Sequence, residues 1–368
     1  MKRSIFCFAS AVLLANCSAP PGLSLSAARP SERAEAPRTS SGPQRLYVAE
    51  CCGVLNTGDV VRYGPSEGGI AHRYVNGAHF PLQIAIDDSG TLYVLNESNL
   101  GPQGIAITEY DRGSPQRSRR IGYFYWATNF ALDRKAKVYV ANCNTCTYSS
   151  SRPRAKPLDS VTIYQRKGTQ LLGTITDGIY EPQALAFDQS QNLYVSNAGT
   201  RRHSPSVTVY APGSTTPMLT ITKEITRPGT LGFDRARNLY VADGQQRVVE
   251  YAPASDRILR TIRDGIRAPQ ALQFGRYGRL YVANWPPSGT GWISVYSPGS
   301  TTPTYEIKNN VQYPVSMVLD GKENLYVANL GNYGDSWVSV YEPSDGALIK
   351  TIRGGKHGPP RSLAFGVR

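Results

Sequence analysis

Residues 360–368 read PRSLAFGVR, and the chain stops there. Six earlier stretches of the same kind run on through a turn into a second apolar stretch, as in PQALAFDQSQNLYVSNAG at 182–199. The last copy has no such continuation. A fold has to be found in which half a repeat at the C-terminus is useful.

The LYV-like stretch recurs with its tyrosine at 47, 93, 139, 194, 240, 281 and 326, spaced 46, 46, 55, 46, 41 and 45 residues apart. Each copy is followed by a second stretch ending in tyrosine: VVRY, ITEY, VTIY, VTVY, VVEY, ISVY and VSVY. A third follows, such as LLGTITDGI (171–179), ILRTIRDGI (258–266) or LIKTIRGGK (348–356), and then Pro and an LAFD-like run. Alternation, β-branched and aromatic content, and Gly- or Asn-containing turns make these four antiparallel strands per repeat. Four strands in about 40–50 residues is the period of a β-propeller blade. The composition agrees, with 35 Gly, 26 Pro and 23 Tyr and no long helical apolar pattern.

The LAFD-like strand is expected to be innermost. Its second apolar position is small in nearly every copy: Ala85, Ala131, Ala186, Gly232, Val318 and Ala364, with Gln273 the exception. Small side chains suit strands crowded around an axis. Every strand type occurs seven times, but the last innermost strand has no LYV after it and the first LYV has no innermost strand before it. The count closes if Ser362–Gly366 pairs with Leu46–Ala49. The expected fold is therefore an all-β, seven-bladed propeller closed by its own two ends, which removes two open strand edges.

The stretch 239–251, LYVADGQQRVVEY, resembles the repeat of the NHL and YVTN-type propellers, and the resemblance covers about residues 45–368. It implies the fold; propellers host unrelated activities. Some similar propellers are enzymes, notably metal-dependent lactonases and a streptogramin-cleaving lyase. The lactonase type implies carboxylates and amides converging on the channel. The corresponding positions here, Gln83, Asn129, Ala184, Thr230, Ala271, Ser316 and Ser362, include no Asp, Glu or His. The recurrent Asp87, Asp133, Asp188, Asp234 and Asp320 precede turns and read as turn residues.

The loops joining strand four to the next strand one, and strand two to strand three, share one face. All four tryptophans map there. Trp126 precedes an innermost strand, while Trp285, Trp292 and Trp337 fall in the second loops of two adjacent blades. Arg247 holds the position of Trp292 and Trp337 in the preceding blade, and Tyr333 is close by in sequence. Such aromatics and an arginine either recognise a sugar, peptide or protein or cover the blade ends. The long loop of the third blade, 142–160, adds Arg152, Arg154 and Lys156 to the same face.

Cys51, Cys52, Cys143 and Cys146 are expected to form disulfides, with Cys143–Cys146 closing a short turn. No metal and no cofactor is expected. His79 and His357 flank the closing blade and could serve as acid and base; His203 lies in another second loop, and His72 in an outer strand.

Lys2 and Arg3 followed by an apolar run, Ile5–Ala15, read as an export signal. Leu14-Ala15-Asn16-Cys17 resembles a lipoprotein signal box with Cys17 as the lipidated residue; the alternative is an ordinary secretory signal. Residues 18–44 are rich in Ser, Pro, Ala and Arg and read as a disordered tether. The domain reading is thus 1–17 signal, 18–44 tether and 45–368 propeller. The formal net charge of +13 favours anionic envelope polymers as partners. Export makes nucleic acid an unsuitable partner, membrane contact is expected only through the lipid anchor, and a monomer is expected. The leading expectation is an exported, non-enzymatic binding protein for glycan, peptide or protein. The alternatives are a propeller lyase or lactonase-like hydrolase, and an envelope interaction scaffold.

Overall fold

The computed structural model describes residues 44–366 except 52–57, 65–68, 97–104, 125, 147–157, 245, 288, 289, 333, 334 and 354–357. The signal, Cys17, tether residues 18–43, Cys52, His357, Tyr333 and the basic residues of the 142–160 loop lie outside the described residues.

The described strands, β1 (Arg45–Glu50) to β28 (Pro360–Gly366), form seven four-stranded antiparallel sheets. In the first blade the order is β28, β1, β2 (Asp59–Tyr63) and β3 (Ile70–Tyr74). The register runs Arg45↔Gly366, Leu46↔Phe365, Tyr47↔Ala364, Val48↔Leu363 and Ala49↔Ser362. The half-repeat at the C-terminus is therefore the innermost strand of the first blade, as its sequence required.

The other innermost strands are β4 (Pro81–Ile86), β8 (Ala127–Leu132), β12 (Pro182–Phe187), β16 (Pro228–Phe233), β20 (Pro269–Phe274) and β24 (Pro314–Leu319). Each touches its two neighbours, and β28 touches both β4 and β24, so the ring is closed. The apolar core lies between blades. One cluster joins Val318, Tyr326, Ala328, Val338 and Val340 of the seventh blade to Leu46, Val48, Val61 and Leu363 of the first. The closing seam is thus packed like the continuous ones.

Two devices recur at the seams. The LYV tyrosine of one blade meets the innermost phenylalanine of the next edge-on: Tyr139–Phe187 and Tyr194–Phe233 at 4.9 Å, Tyr240–Phe274 at 4.8 Å and Tyr326–Phe365 at 5.1 Å between centroids. Such pairs contribute about 0.5–1.5 kcal/mol beyond area burial. A Cβ on Gly232 would sit 2.9 Å from the Phe274 ring, which explains the small residue there.

The second device uses the channel-entrance positions. Gln83 donates to the Phe130 carbonyl (2.9 Å) and accepts from the Phe130 N–H (3.0 Å). Asn129 accepts from Leu185 N–H, Ser362 from Ile84 N–H and Ser316 from Leu363 N–H, at 3.1–3.2 Å. Thr230 donates to the Gln270 carbonyl at 3.2 Å. These side chains cross to the next blade and are buried. They pin each blade to the next around the ring.

The aspartates before the turns behave as turn residues. Asp87, Asp133, Asp188, Asp234 and Asp320 each accept the N–H four residues on, at 2.8–2.9 Å.

Candidate functional site

The residue immediately before each innermost strand forms the rim of the channel mouth. In blade order from the first, the rim is Pro359, Phe80, Trp126, Glu181, Arg227, Ala268 and Tyr313. One backbone bond identifies the equivalence: these carbonyls accept from Cys51, Cys143, Ala198, Gly244, Trp285 and Leu330 N–H in six blades. Phe80, Glu181, Ala268 and Tyr313 also share a positive φ of 47–52°. A bulge follows in the innermost strands β4, β8, β12, β16, β20 and β24, between the first residue and the resumption of pairing. The positive φ belongs to this repeated turn.

Five of the rim positions carry side chains suited to ligand contact: Phe80, Trp126, Glu181, Arg227 and Tyr313. Glu181 is the single carboxylate of the ring. It is half-buried, and its carboxyl has no hydrogen bond or ion pair among the described residues. Burial, reinforced by the nearby negative charge of Asp159, pushes its pKa above the usual glutamate value of 4.5. Arg227, on the next blade, is exposed. Its stem runs over Gly244, where a Cβ would be 3.0 Å from the arginine Cδ, so the glycine leaves the room that this side chain fills. Beside Glu181, Tyr180 stacks on His203 with centroids 3.6 Å apart and planes 8° from parallel. Gln183, half-buried in β12, donates to the Glu181 carbonyl at 2.9 Å.

The residues expected to bind ligand are distributed as follows. Trp126 is on the rim and packs half-buried against Phe130 and its neighbours. Trp285 is half-buried near the rim, 5.4 Å from the Tyr313 ring. Trp292 and Trp337 stand at equivalent positions, opposite Asn284 and Asn329. The Trp292 indole N–H donates to the Gly265 carbonyl (3.2 Å) and Ser294 (3.0 Å); that of Trp337 donates to the Asn310 carbonyl (3.1 Å) and Ser339 (2.9 Å). Trp337 is 9% exposed. Arg247 is buried and bonds Asp243 at 2.9 Å and the Glu224 carbonyl at 3.0 Å.

Asp243 and Arg247 replace a network found in other blades. There an asparagine ending the LYV strand donates to a Ser or Thr on the next strand, as Asn197 does to Thr208 at 3.1 Å. The same asparagine accepts from the loop, as Asn197 does from Tyr180 N–H. In the fifth blade Val249 offers no hydroxyl. The carboxylate of Asp243 takes the loop donors Thr226 and Arg227 N–H, and Arg247 balances its charge.

Cys143 and Cys146 form a disulfide with Cα atoms 5.4 Å apart. Cys51 is also disulfide-bonded. His79 is exposed, with its backbone N–H held by Asn96 at 3.0 Å. Among the described residues no three of His, Cys, Asp and Glu converge as metal ligands. On the opposite face, a cleft of 580 Å³ between the fifth and sixth blades is lined by residues including Arg235, Asn238, Arg260 and Tyr277. Its Glu250 is already engaged by Arg260 and Asn238.

Sequence reasoning missed Glu181 and Asp159. Aligning the residues that precede the innermost strands would have shown one acid among seven. Nothing in the sequence signals that Asp159, in the preceding blade, reaches it.

No family model and no curated protein matches the sequence. Solved structures do. A periplasmic gluconolactonase of Pseudomonas aeruginosa, PpgL, superposes with a TM-score of 0.67 at 18% identity, covering 88% of this chain and 99% of that one. Candidate 6-phosphogluconolactonases from Bacteroides uniformis and Bacteroides fragilis NCTC 9343 each give 0.65 at 14% identity, covering 88% and 90% of this chain and 99% of theirs. The likeness shows the propeller fold. It also corrects the leading functional expectation: the solved propellers it finds are described as gluconolactonases, and the non-enzymatic binding reading is set aside.

Proposed function

We propose that this protein is a lactonase-like hydrolase that opens a sugar-type lactone at the channel mouth. The observation that carries the reading is Glu181: a lone rim carboxylate of raised proton affinity, on a fold shared with gluconolactonases. In its ionised form Glu181 takes a proton from water as the water attacks the lactone carbonyl. When the ring C–O bond breaks, the same proton passes to the departing ring oxygen, and a hydroxy acid leaves. Arg227, on the next blade, supplies positive charge for the oxyanion and then for the carboxylate product. Trp126 and Phe80 give the ring an apolar wall. The reading replaces His79 and His357 with Glu181 as the acid–base group.

Export through the signal at 1–17, with Cys17 as lipid acceptor, belongs to the same proposal. It agrees with the periplasmic location given for the Pseudomonas protein. The repeat pattern of the NHL type is kept as a proposal of ancestry.

The test is hydrolysis of glucono-1,5-lactone and 6-phosphogluconolactone, corrected for spontaneous opening. E181Q should lower kcat by about 10²-fold or more. The wild-type rate should rise with pH through a midpoint above the ordinary glutamate value, because the base form is required. Hydrolysis of neither lactone above background, or full activity in E181Q, would refute the proposal.

A further inference from the structure

We infer that Asp159, held by the Cys143–Cys146 turn, is a positioning residue for Glu181, fixing its backbone from the neighbouring blade and placing a second carboxylate beside it. The inference rests on Glu181 being the acid–base group proposed above.

The chain of contacts is continuous. Thr145, between the two cysteines, donates its N–H (2.9 Å) and its hydroxyl (2.7 Å) to the Asp159 carboxylate. The same carboxylate accepts the Glu181 N–H at 2.7 Å. Asn144 donates to the Leu158 carbonyl at 2.7 Å, which ties the turn to the segment carrying Asp159. At its other end, Cys143 N–H donates to the carbonyl of Trp126, the rim residue of the third blade. Cys146 sulfur lies 3.9 Å from Gln183 Nε2, which also bonds the Glu181 carbonyl. The disulfide turn therefore spans two adjacent rim positions.

This arrangement departs from the repeat. In the second, fourth, sixth and seventh blades an asparagine of the same blade holds the N–H one residue before the rim: His79, Tyr180, Arg267 and Gln312. Arg227 N–H is held by Asp243 of its own blade, and Tyr313 N–H by the Thr290 backbone. Among the described residues, only Glu181 has its rim N–H held by a side chain of the preceding blade. Asp159 is buried and faces three donors, which localises its charge. Asp159 from the third blade is the charged group that acts on Glu181, and Tyr180, next to Glu181 in the chain, stacks on His203.

Burial and the charge of Asp159 act in the same direction on Glu181, and both favour its protonated form. The turn is closed covalently, so the disulfide holds the Thr145 donors on Asp159. Without it, Thr145 is free to leave Asp159, and the backbone of Glu181 loses its cross-blade anchor.

The experiment is a pH titration of glutamate side-chain carboxyls by carbon-13 NMR, with Glu181 assigned by its disappearance in E181Q. It is run on wild-type protein, on D159N and on wild-type protein reduced with a phosphine. The expected result is a downward shift of the Glu181 midpoint in D159N and, in the same direction, on reduction. An unmoved midpoint in D159N overturns the inference; if that variant does not fold, an unmoved midpoint in the reduced wild-type protein does so. No substrate is present, so a failure to hydrolyse lactones would refute the proposed activity without deciding this result. Where the lactonase is active, the acidic limb of its pH profile should move with the NMR midpoint.

Discussion

Leu363 offers a direct measure of whether the closing strand belongs to the ring. It is 0% exposed and lies in the cluster shared by the first and seventh blades. Leu185, 1% exposed, occupies the same position in β12, where the chain runs on through the next turn. Replacing a buried leucine by alanine costs about 2–5 kcal/mol, from lost transfer energy and the cavity left behind. If the C-terminal strand is packed like the others, Leu363→Ala and Leu185→Ala should both fall in that range. For a body of about 320 residues, unfolding entropy near 2.1 cal/mol/K per residue makes 1 kcal/mol worth about 1.5 °C, so each variant should lose about 3–7 °C in Tm. The assay is calorimetry beside urea unfolding followed by tryptophan fluorescence. The reasoning fails if Leu185→Ala shows the full loss while Leu363→Ala changes stability by less than about 0.5 kcal/mol, the range of surface substitutions. A chain ending at Pro359 would lose every β1–β28 pair. It should show no cooperative transition at the wild-type temperature.

Two further substitutions separate structural from recognition roles. W337F keeps an aromatic ring but removes the indole donor to Asn310 and Ser339, and should cost about 1 kcal/mol in urea unfolding; an unchanged midpoint would show that this bond is not a structural requirement. R247A should cost about 3 kcal/mol, because Asp243 then keeps its loop donors but loses its counter-charge in a buried site. Adding D243N and V249T to R247A rebuilds the amide–hydroxyl network of the other blades and should recover at least half of that loss. A triple variant no more stable than R247A would refute the substitution logic proposed for the fifth blade.

The architecture was legible because a repeat averages out local ambiguity. Tyr47 to Tyr326 gave the period, and the surplus strand at 360–366 gave the closure. Direction was harder to read. Gln83 and Asn129 stand at the channel entrance in sequence order, yet their side chains cross to Phe130 and Leu185 of the next blade. Alternation in a strand says which side chains share a face, but not which neighbouring blade that face meets. For the same reason Trp292 and Trp337 read as recognition residues. Their exposed-loop position was visible, but the carbonyls of Gly265 and Asn310, 27 residues earlier in each case, were not. Glu181 was hidden by the regularity of the pattern, since it fills the slot before Pro182 that other blades fill with Phe80, Ala268 or Tyr313.

The exceptions to the repeat are of two kinds, and the difference between them supports the site proposed at Glu181. Asp243 departs from the asparagine found in other blades, but Arg247 departs with it, and Val249 replaces the hydroxyl that the amide would have needed. Blade one does the same, with Arg73 lying 2.5 Å from Asp59 and 3.8 Å from Glu50. In both blades the buried acids enter together with an arginine that pairs with them. Glu181 enters with another acid. Asp159 binds its N–H and at the same time opposes its ionisation, and no described cation pairs with its carboxyl. An arrangement that served stability alone would pair the acid with a base, as the first and fifth blades do. Holding a half-buried carboxyl beside a second carboxyl instead raises its proton affinity, which is what a group that must both accept and return a proton requires.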